Sequence, residues 1–179
     1  MRKTVLSLLT FTLMLSLSTA WAWDPDPNDK MQLEVQAAII DIKAKDPGMD
    51  DWFKNAAGYA VFPKVGKGGI GVGGAYGKGL VISGDKVVGK TSLKQVSIGL
   101  QLGGQAYAEF IFFKDDIALG EFKRGNFEMG AQASAVAATA GASADAAYNK
   151  GVAIFTNISG GVMAEASVGG QKFDFEAVE

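Results

Sequence analysis

The chain has 179 residues, 48% of them hydrophobic, with 17 Lys and Arg against 19 Asp and Glu. That length is enough for one domain with a real core, and the mildly acidic balance offers no bulk attraction to nucleic acid. With neither cysteine nor histidine, disulfides, ordinary zinc sites and Ser-His-Asp or Cys-His nucleophilic centres are excluded, and no metal or other cofactor is expected.

Residues 1–22 read as a secretory signal peptide. Arg2 and Lys3 form the positive start, Val5 to Ser18 is an uncharged and largely apolar run, and Ala20-Trp21-Ala22 offers the small residues a signal peptidase accepts. The apolar run is too short to cross a bilayer comfortably as an anchor. Cleavage after Ala22 places the mature chain in the periplasm or outside the cell. It leaves 15 Lys and Arg against 19 Asp and Glu.

Residues 23–57 form a polar leader and two helices. Asn28 is placed to cap a helix over 29–45, with Met31, Val35, Ala38 and Ile42 on its apolar face and Leu33 and Ile40 beside them. Asp46-Pro47-Gly48 ends it. A second helix spans about 50–57, anchored by Trp52 and Phe53.

From Gly58 to Glu179 the pattern is β. "YAVF" is a short strand ended by Pro63, and "GIGVGGAYG" and "GLVIS" are two more. Ser83-Gly84-Asp85 makes a turn. Val96, Ile98, Leu100 and Leu102 then alternate with Gln95, Ser97, Gly99 and Gln101, which predicts a strand with its valine face buried. Gly103-Gly104 turns the chain into "QAYAEFIFF", with Ala106, Ala108, Phe110 and Phe112 on one face. Asp115 caps a short helix that Gly125 terminates. "NFEMGAQASAVAA", "GVAIFTN", "GVMAEASVG" and "QKFDFE" read as the remaining strands. The expected fold is α+β: an N-terminal helical segment packed on a curled, mainly antiparallel sheet or partly closed barrel, one globular domain after the leader.

All 24 glycines lie beyond the leader, roughly twice the usual share. Two nucleotide patterns appear among them by letter. Gly69 to Gly74 fits G-x-G-x-x-G, and Gly84 to Thr91 fits G-x-x-x-x-G-K-[ST]. Both need a helix directly after the loop, whose N-terminus holds the phosphates. Here a β-rich run follows each, so no nucleotide partner is expected. Glycine on one strand face instead permits close packing of a neighbouring layer.

The stretch "GYAVFPKVGKGGIGVGGAYGKGLVI", with "VSIGLQLGGQAYAEFIFF", "FEMGAQASAVA" and "GGVMAEASVGGQKFDF" after it, resembles the SYLF domain family, also called the Ysc-type actin-binding or lipid-binding family. Phe62-Pro63 matches the family's phenylalanine-proline element and Lys67 its lysine. Gly73, Gly74, Tyr76, Gly77 and Gly79 match its G-G-x-Y-G-x-G, with Ala75 at the variable position. The resemblance implies a non-enzymatic membrane-lipid-binding module. Actin is not an expected partner of an exported chain, and phosphoinositide specificity is not carried over; affinity for an anionic phospholipid surface is. The residues themselves add that no carboxylate stands between Asp51 and Asp85, so 54–84 carries +4 from Lys54, Lys64, Lys67 and Lys78. Lys64, Lys67, Lys78 and Tyr76 are the candidate lipid contacts.

Three other readings compete. A structural or protein-interaction domain of the cell envelope needs no lipid specificity. An outer-membrane β-barrel would suit glycine and alternation, but the chain lacks aromatic girdles and ends in "EAVE". A carboxylate enzyme would draw on Glu109, Asp115, Asp116 or Glu128, which are candidates by type alone.

Overall fold

The computed structural model describes residues 23–99, 105–130, 133–158 and 166–178. Three helices, α1 (Lys30–Lys45), α2 (Met49–Asn55) and α3 (Asp116–Lys123), accompany eight strands. The strands are β1 (Gly58–Ser83), β2 (Lys86–Gly99), β3 (Gln105–Phe113), β4 (Phe127–Glu128), β5 (Ser134–Ala137), β6 (Val152–Ile158), β7 (Ala166–Ser167) and β8 (Lys172–Ala177). They line up as β4-β8-β2-β1-β3-β6-β5-β7. All pairs are antiparallel except β5 with β6. The fold is α+β, a strongly curled half-barrel with the N-terminal helix packed on it.

Local chemistry sets the helix ends. The cap of α1 is Asp29, one residue beyond the expected Asn28; its carboxylate accepts the backbone N–H of Met31 at 2.9 Å and of Gln32 at 3.2 Å. These bonds, that of Gln32 foremost, hold the Asp29 carboxyl below its ordinary value. Asp29→Ala is expected to lose about 1 kcal/mol of stability in chemical denaturation. Asp115 caps α3 as expected, accepting from the Ala118 N–H at 2.9 Å, and Gly125 with φ 79° lets the chain leave it.

Asp46 ties the helices to a distant loop. Its carboxylate is 2% exposed and accepts from the backbone N–H of Ser143 at 2.7 Å and of Gly48 at 3.1 Å. Burial alone would raise this carboxyl, but the hydrogen bonds outweigh it and lower it.

β1 is one strand where three were expected. Pro63 does not end it, because the β1–β3 register shifts between Phe62 and Val65, and a proline at such a bulge forfeits no ladder bond. The early part of β1 pairs with β3, from Gly58↔Phe113 to Lys67↔Gln105. The later part pairs with β2, from Gly71↔Gly99 to Ser83↔Lys86. The two parts run back past one another, with Gly58 beside Ile82, Val61 beside Gly79 and Val65 beside Gly77. The turn at Ser83 to Lys86 is tight, with Gly84 at φ 55° and Asp85 at φ 60°, both in the region a two-residue hairpin requires.

Both faces of the sheet are covered around β3 and the two ends of β1, so those segments are apolar on both sides. On the convex face, Val35, Ile39 and Ile42 of α1 and Phe53 of α2 pack on Val61, Phe110 and Phe112. In the concave interior Phe62, Val65, Leu93, Tyr107, Ile111 and Phe173 meet Phe122 of α3. Hence β3 is buried on both faces, not only along Ala108, Phe110 and Phe112. Leu33 and Ile40 of α1 stay exposed, at 41% and 46%.

The facing of β2 reverses the expectation. Val96 is 78% exposed and Gln95 only 6%. Thr91 and Leu93 point inward, which fixes the phase of the pleat and turns Gln95 in after them. Val96, the first residue of the apolar alternation, is out of phase with that anchor. Side chains from Ser97 to Gln101 and the turn at Gly103-Gly104 lie outside the described residues. So does most of the expected strand at "GVMAE", while "NFEMGAQASAVAA" supplies two short strands, β4 and β5.

Candidate functional site

The doubling of β1 decides where the candidate residues go. Lys64, Tyr76 and Lys78 point out of the convex face and come together. They line a shallow hollow of about 200 Å³ with Pro63, Gly77, and Met31 and Glu34 of α1. Tyr76 is 48% exposed. Among the described residues no carboxylate lies within ion-pair distance of Lys64 or Lys78; Glu34 instead meets Lys30 at 3.5 Å.

The sheet register extends this surface onto β2 and β8. Tyr76 stands opposite Lys94, Lys78 opposite Ser92 and Leu80 opposite Lys90. Ser92 in turn stands opposite Asp174. Lys94 is bound by Asp174 at 2.9 Å, which raises the lysine and lowers the carboxyl. Lys90 and Lys78 line a second hollow with Asp174, Phe175 and Glu176. Lys90 and Lys94 were not among the candidates, although the alternation of Lys90, Ser92 and Lys94 marks one solvent-facing side.

Lys67 is parted from the other lysines. It follows Val65 by two residues on the strand and so faces the concave side, where its charge acts on Glu109. Glu109 is fully buried, at 0% exposure, and its Oε2 accepts from the side-chain N–H of Gln171 at 3.0 Å. Burial pushes the Glu109 carboxyl up to about 7, against the pull of Gln171, Lys67 and Tyr107. The other candidate acids serve structure or solvent: Asp115 caps α3, Asp116 is exposed, and Glu128 pairs with Lys172 at 3.6 Å.

The motif glycines divide by role. At Gly79 a Cβ would stand well inside contact distance of the Val61 carbonyl oxygen and 2.9 Å from Cδ1 of Phe62. At Gly77 it would meet Cγ2 of Val65 at 2.9 Å. These two let the halves of β1 close on each other. Gly74 is freer, with the Gln95 carbonyl oxygen at 3.2 Å from such a Cβ, and Gly73 is half-buried beside it. Neither nucleotide pattern has its helix: residues 69–74 lie within β1, and 84–91 form the hairpin turn and the start of β2. No helix among the described residues is long and apolar enough to cross a membrane.

A curled half-barrel with helices on its convex side and a basic, tyrosine-bearing surface beside them defines an α+β domain without a clustered catalytic constellation among the described residues. Residues 94–177 match the Ysc84 family model, described as Las17-binding protein actin regulator. The match covers 84 of the 179 residues and agrees over that region with the resemblance to the SYLF family. The matched region begins after the glycine run, so the family model does not cover Gly73 to Gly79. Beta cell expansion factor A of Aeromonas veronii is 29% identical over 139 residues, which cover 76% of this chain and 52% of that protein. The chain thus spans about half the length of this curated relative.

Proposed function

We propose that this protein is an exported, non-enzymatic module that binds anionic phospholipid surfaces through the convex face at Lys64, Tyr76 and Lys78. The observation that carries this reading is the meeting of two unpaired lysines and a half-exposed tyrosine on one face. A phenol ring suits the boundary between head groups and water, and each lysine close to an anionic surface contributes about 1 kcal/mol. The charged convex face and the helices packed on it are unlike the apolar outer band of a membrane-spanning barrel. Lys67 drops out of the lipid contacts in this reading because it faces inward.

Co-sedimentation tests it. The protein is expected to pellet with phosphatidylglycerol-containing vesicles at low salt and to stay in solution with phosphatidylcholine alone. The double variant Lys64→Glu, Lys78→Glu is expected to bind at least about 30-fold more weakly, two lysine contributions being about 2 kcal/mol. Lys123→Glu on α3 serves as the control and is expected to bind as the parent does. Equal pelleting with both vesicle types would refute the preference for an anionic surface, and no pelleting with either would favour the protein-interaction reading. For export, the protein recovered from a secreting host is expected to begin at Trp23 by mass spectrometry.

A further inference from the structure

The concave interior holds a polar cluster that a lipid-binding surface on the other face leaves unexplained. Glu109 projects from β3, and Gln171 stands in the turn just before β8. In the sheet order β2 and β1 lie between those two strands. The bond from Gln171 Nε2 to Glu109 Oε2 therefore spans the interior of the curl, from one arm of the half-barrel to the other.

Among the described residues, Oε1 of Glu109 and Oε1 of Gln171 are buried without a well-formed hydrogen bond, and the Tyr107 hydroxyl is the donor that acts on both side chains. Both are acceptors if Glu109 is a carboxylate, and buried acceptors short of donors are costly. One proton on Glu109 changes the balance. A carboxylic acid facing a carboxamide can both accept the amide N–H and give its own O–H to the amide oxygen. The same proton then satisfies both stranded oxygens.

We propose that Glu109 and Gln171 form a proton-held clasp between the two arms of the half-barrel, closed while Glu109 is the neutral acid and released when it ionises. The groups that face Glu109 set the direction of release. Lys67 from β1 is the nearby cation, half-exposed, and it draws an ionised Glu109 out of the apolar interior against the hydrogen bond of Gln171, which also favours the ionised form. Tyr107 from β3 stays neutral, its own hydroxyl raised by burial. From β2 the inward group is Gln95, which carries no charge and donates its side-chain N–H to the Gly169 carbonyl at 2.9 Å. Burial places the ionisation of Glu109 near neutrality, so the clasp is closed in mildly acidic surroundings and open in alkaline ones.

Release reaches the backbone through the turn that carries Gln171. The Gln171 carbonyl accepts from the Met129 N–H at 2.9 Å, and the Gly170 N–H donates to the Met129 carbonyl at 3.0 Å. Amide hydrogen exchange at Met129 and Gly170 reads the clasp directly. Protection, corrected for the intrinsic rate, is expected to fall about tenfold or more between about pH 6 and about pH 8.5, since each pH unit past the titration point shifts the acid–base ratio tenfold. In Glu109→Gln, whose amide can pair with Gln171 without a titrating proton, protection is expected to be equal at both. A wild type with pH-independent protection, or a variant that loses protection as the wild type does, would overturn the clasp. If Glu109→Gln does not fold, the ¹³C carboxyl signal of Glu109 in the wild type decides: a midpoint near 7 moving together with the Gln171 side-chain amide supports it, and a midpoint at the ordinary 4.5 sinks it.

Discussion

Gly79→Ala is expected to lose about 3 kcal/mol of folding stability, while Gly66→Ala changes it by less than about 0.5 kcal/mol. Both residues are strand glycines in the same run, and their surroundings separate them. The added methyl at Gly79 would press on the Val61 carbonyl oxygen and the Phe62 ring, which the concave core holds in place. Backbone cannot yield as a flexible side-chain end can, so β1 must open where its halves pass. At Gly66 nothing lies within 4 Å of a Cβ, and alanine there even reduces the freedom of the unfolded chain. Urea unfolding of the two variants checks this. Equal losses at both positions would mean that the glycine run serves flexibility and not close approach.

Stability is also expected to depend on pH in an unusual sense. The Glu109 carboxyl sits at about 7 in the folded protein against 4.5 when unfolded. A raised acid binds its proton more tightly in the folded state. Its stabilising contribution is therefore complete below 4.5, declines as pH rises toward 7 and is gone above it. Across that gap, at 1.36 kcal/mol per pH unit, the loss is about 3 kcal/mol. Asp29, Asp46, Asp50 and Asp174 are lowered from 3.8 and act in the opposite sense. Their contribution is present above 3.8 and fades as pH falls through their folded values, so it stays nearly constant between about pH 5 and about pH 7.5. Denaturation midpoints in that window are expected to fall with rising pH in the wild type and to stay level in Glu109→Gln. A wild-type midpoint that rises or stays level would show that Glu109 is solvated.

Where local chemistry decides, the sequence was legible. Asp115 as a cap, the Ser83-Gly84-Asp85 turn and the β strands around "VAIFTN" and "KFDFE" follow from side-chain reach, φ and alternation. What escaped was set by distant partners. Thr91 and Leu93 fix the phase of β2 through the concave core, so Val96, which opens the apolar alternation beyond them, stands on the solvent face. Pro63 continues a strand only because the partner strand shifts register beside it. Within the candidate site, Lys64, Tyr76 and Lys78 are drawn together by β1 passing itself, whereas Lys67, in the same basic run, is turned inward by the pleat. Glu109 had a signal of its own, a carboxylate inside "QAYAEFIFF" with Tyr107 and Ile111 two residues away on either side. A charge in a run apolar on both faces has no solvent to point at.

Synthesis of this chain runs well ahead of its sheet. β8 pairs with β2, from Gly89↔Ala177 to Lys94↔Lys172, so that edge of β2 waits for about 80 residues of further translation, roughly 4–16 s at ordinary rates. Through that interval the nascent chain presents an unpaired edge and an uncovered apolar concave face, the features that invite pairing with the wrong strand. A topology with its partners this far apart along the chain is expected to refold in milliseconds to seconds.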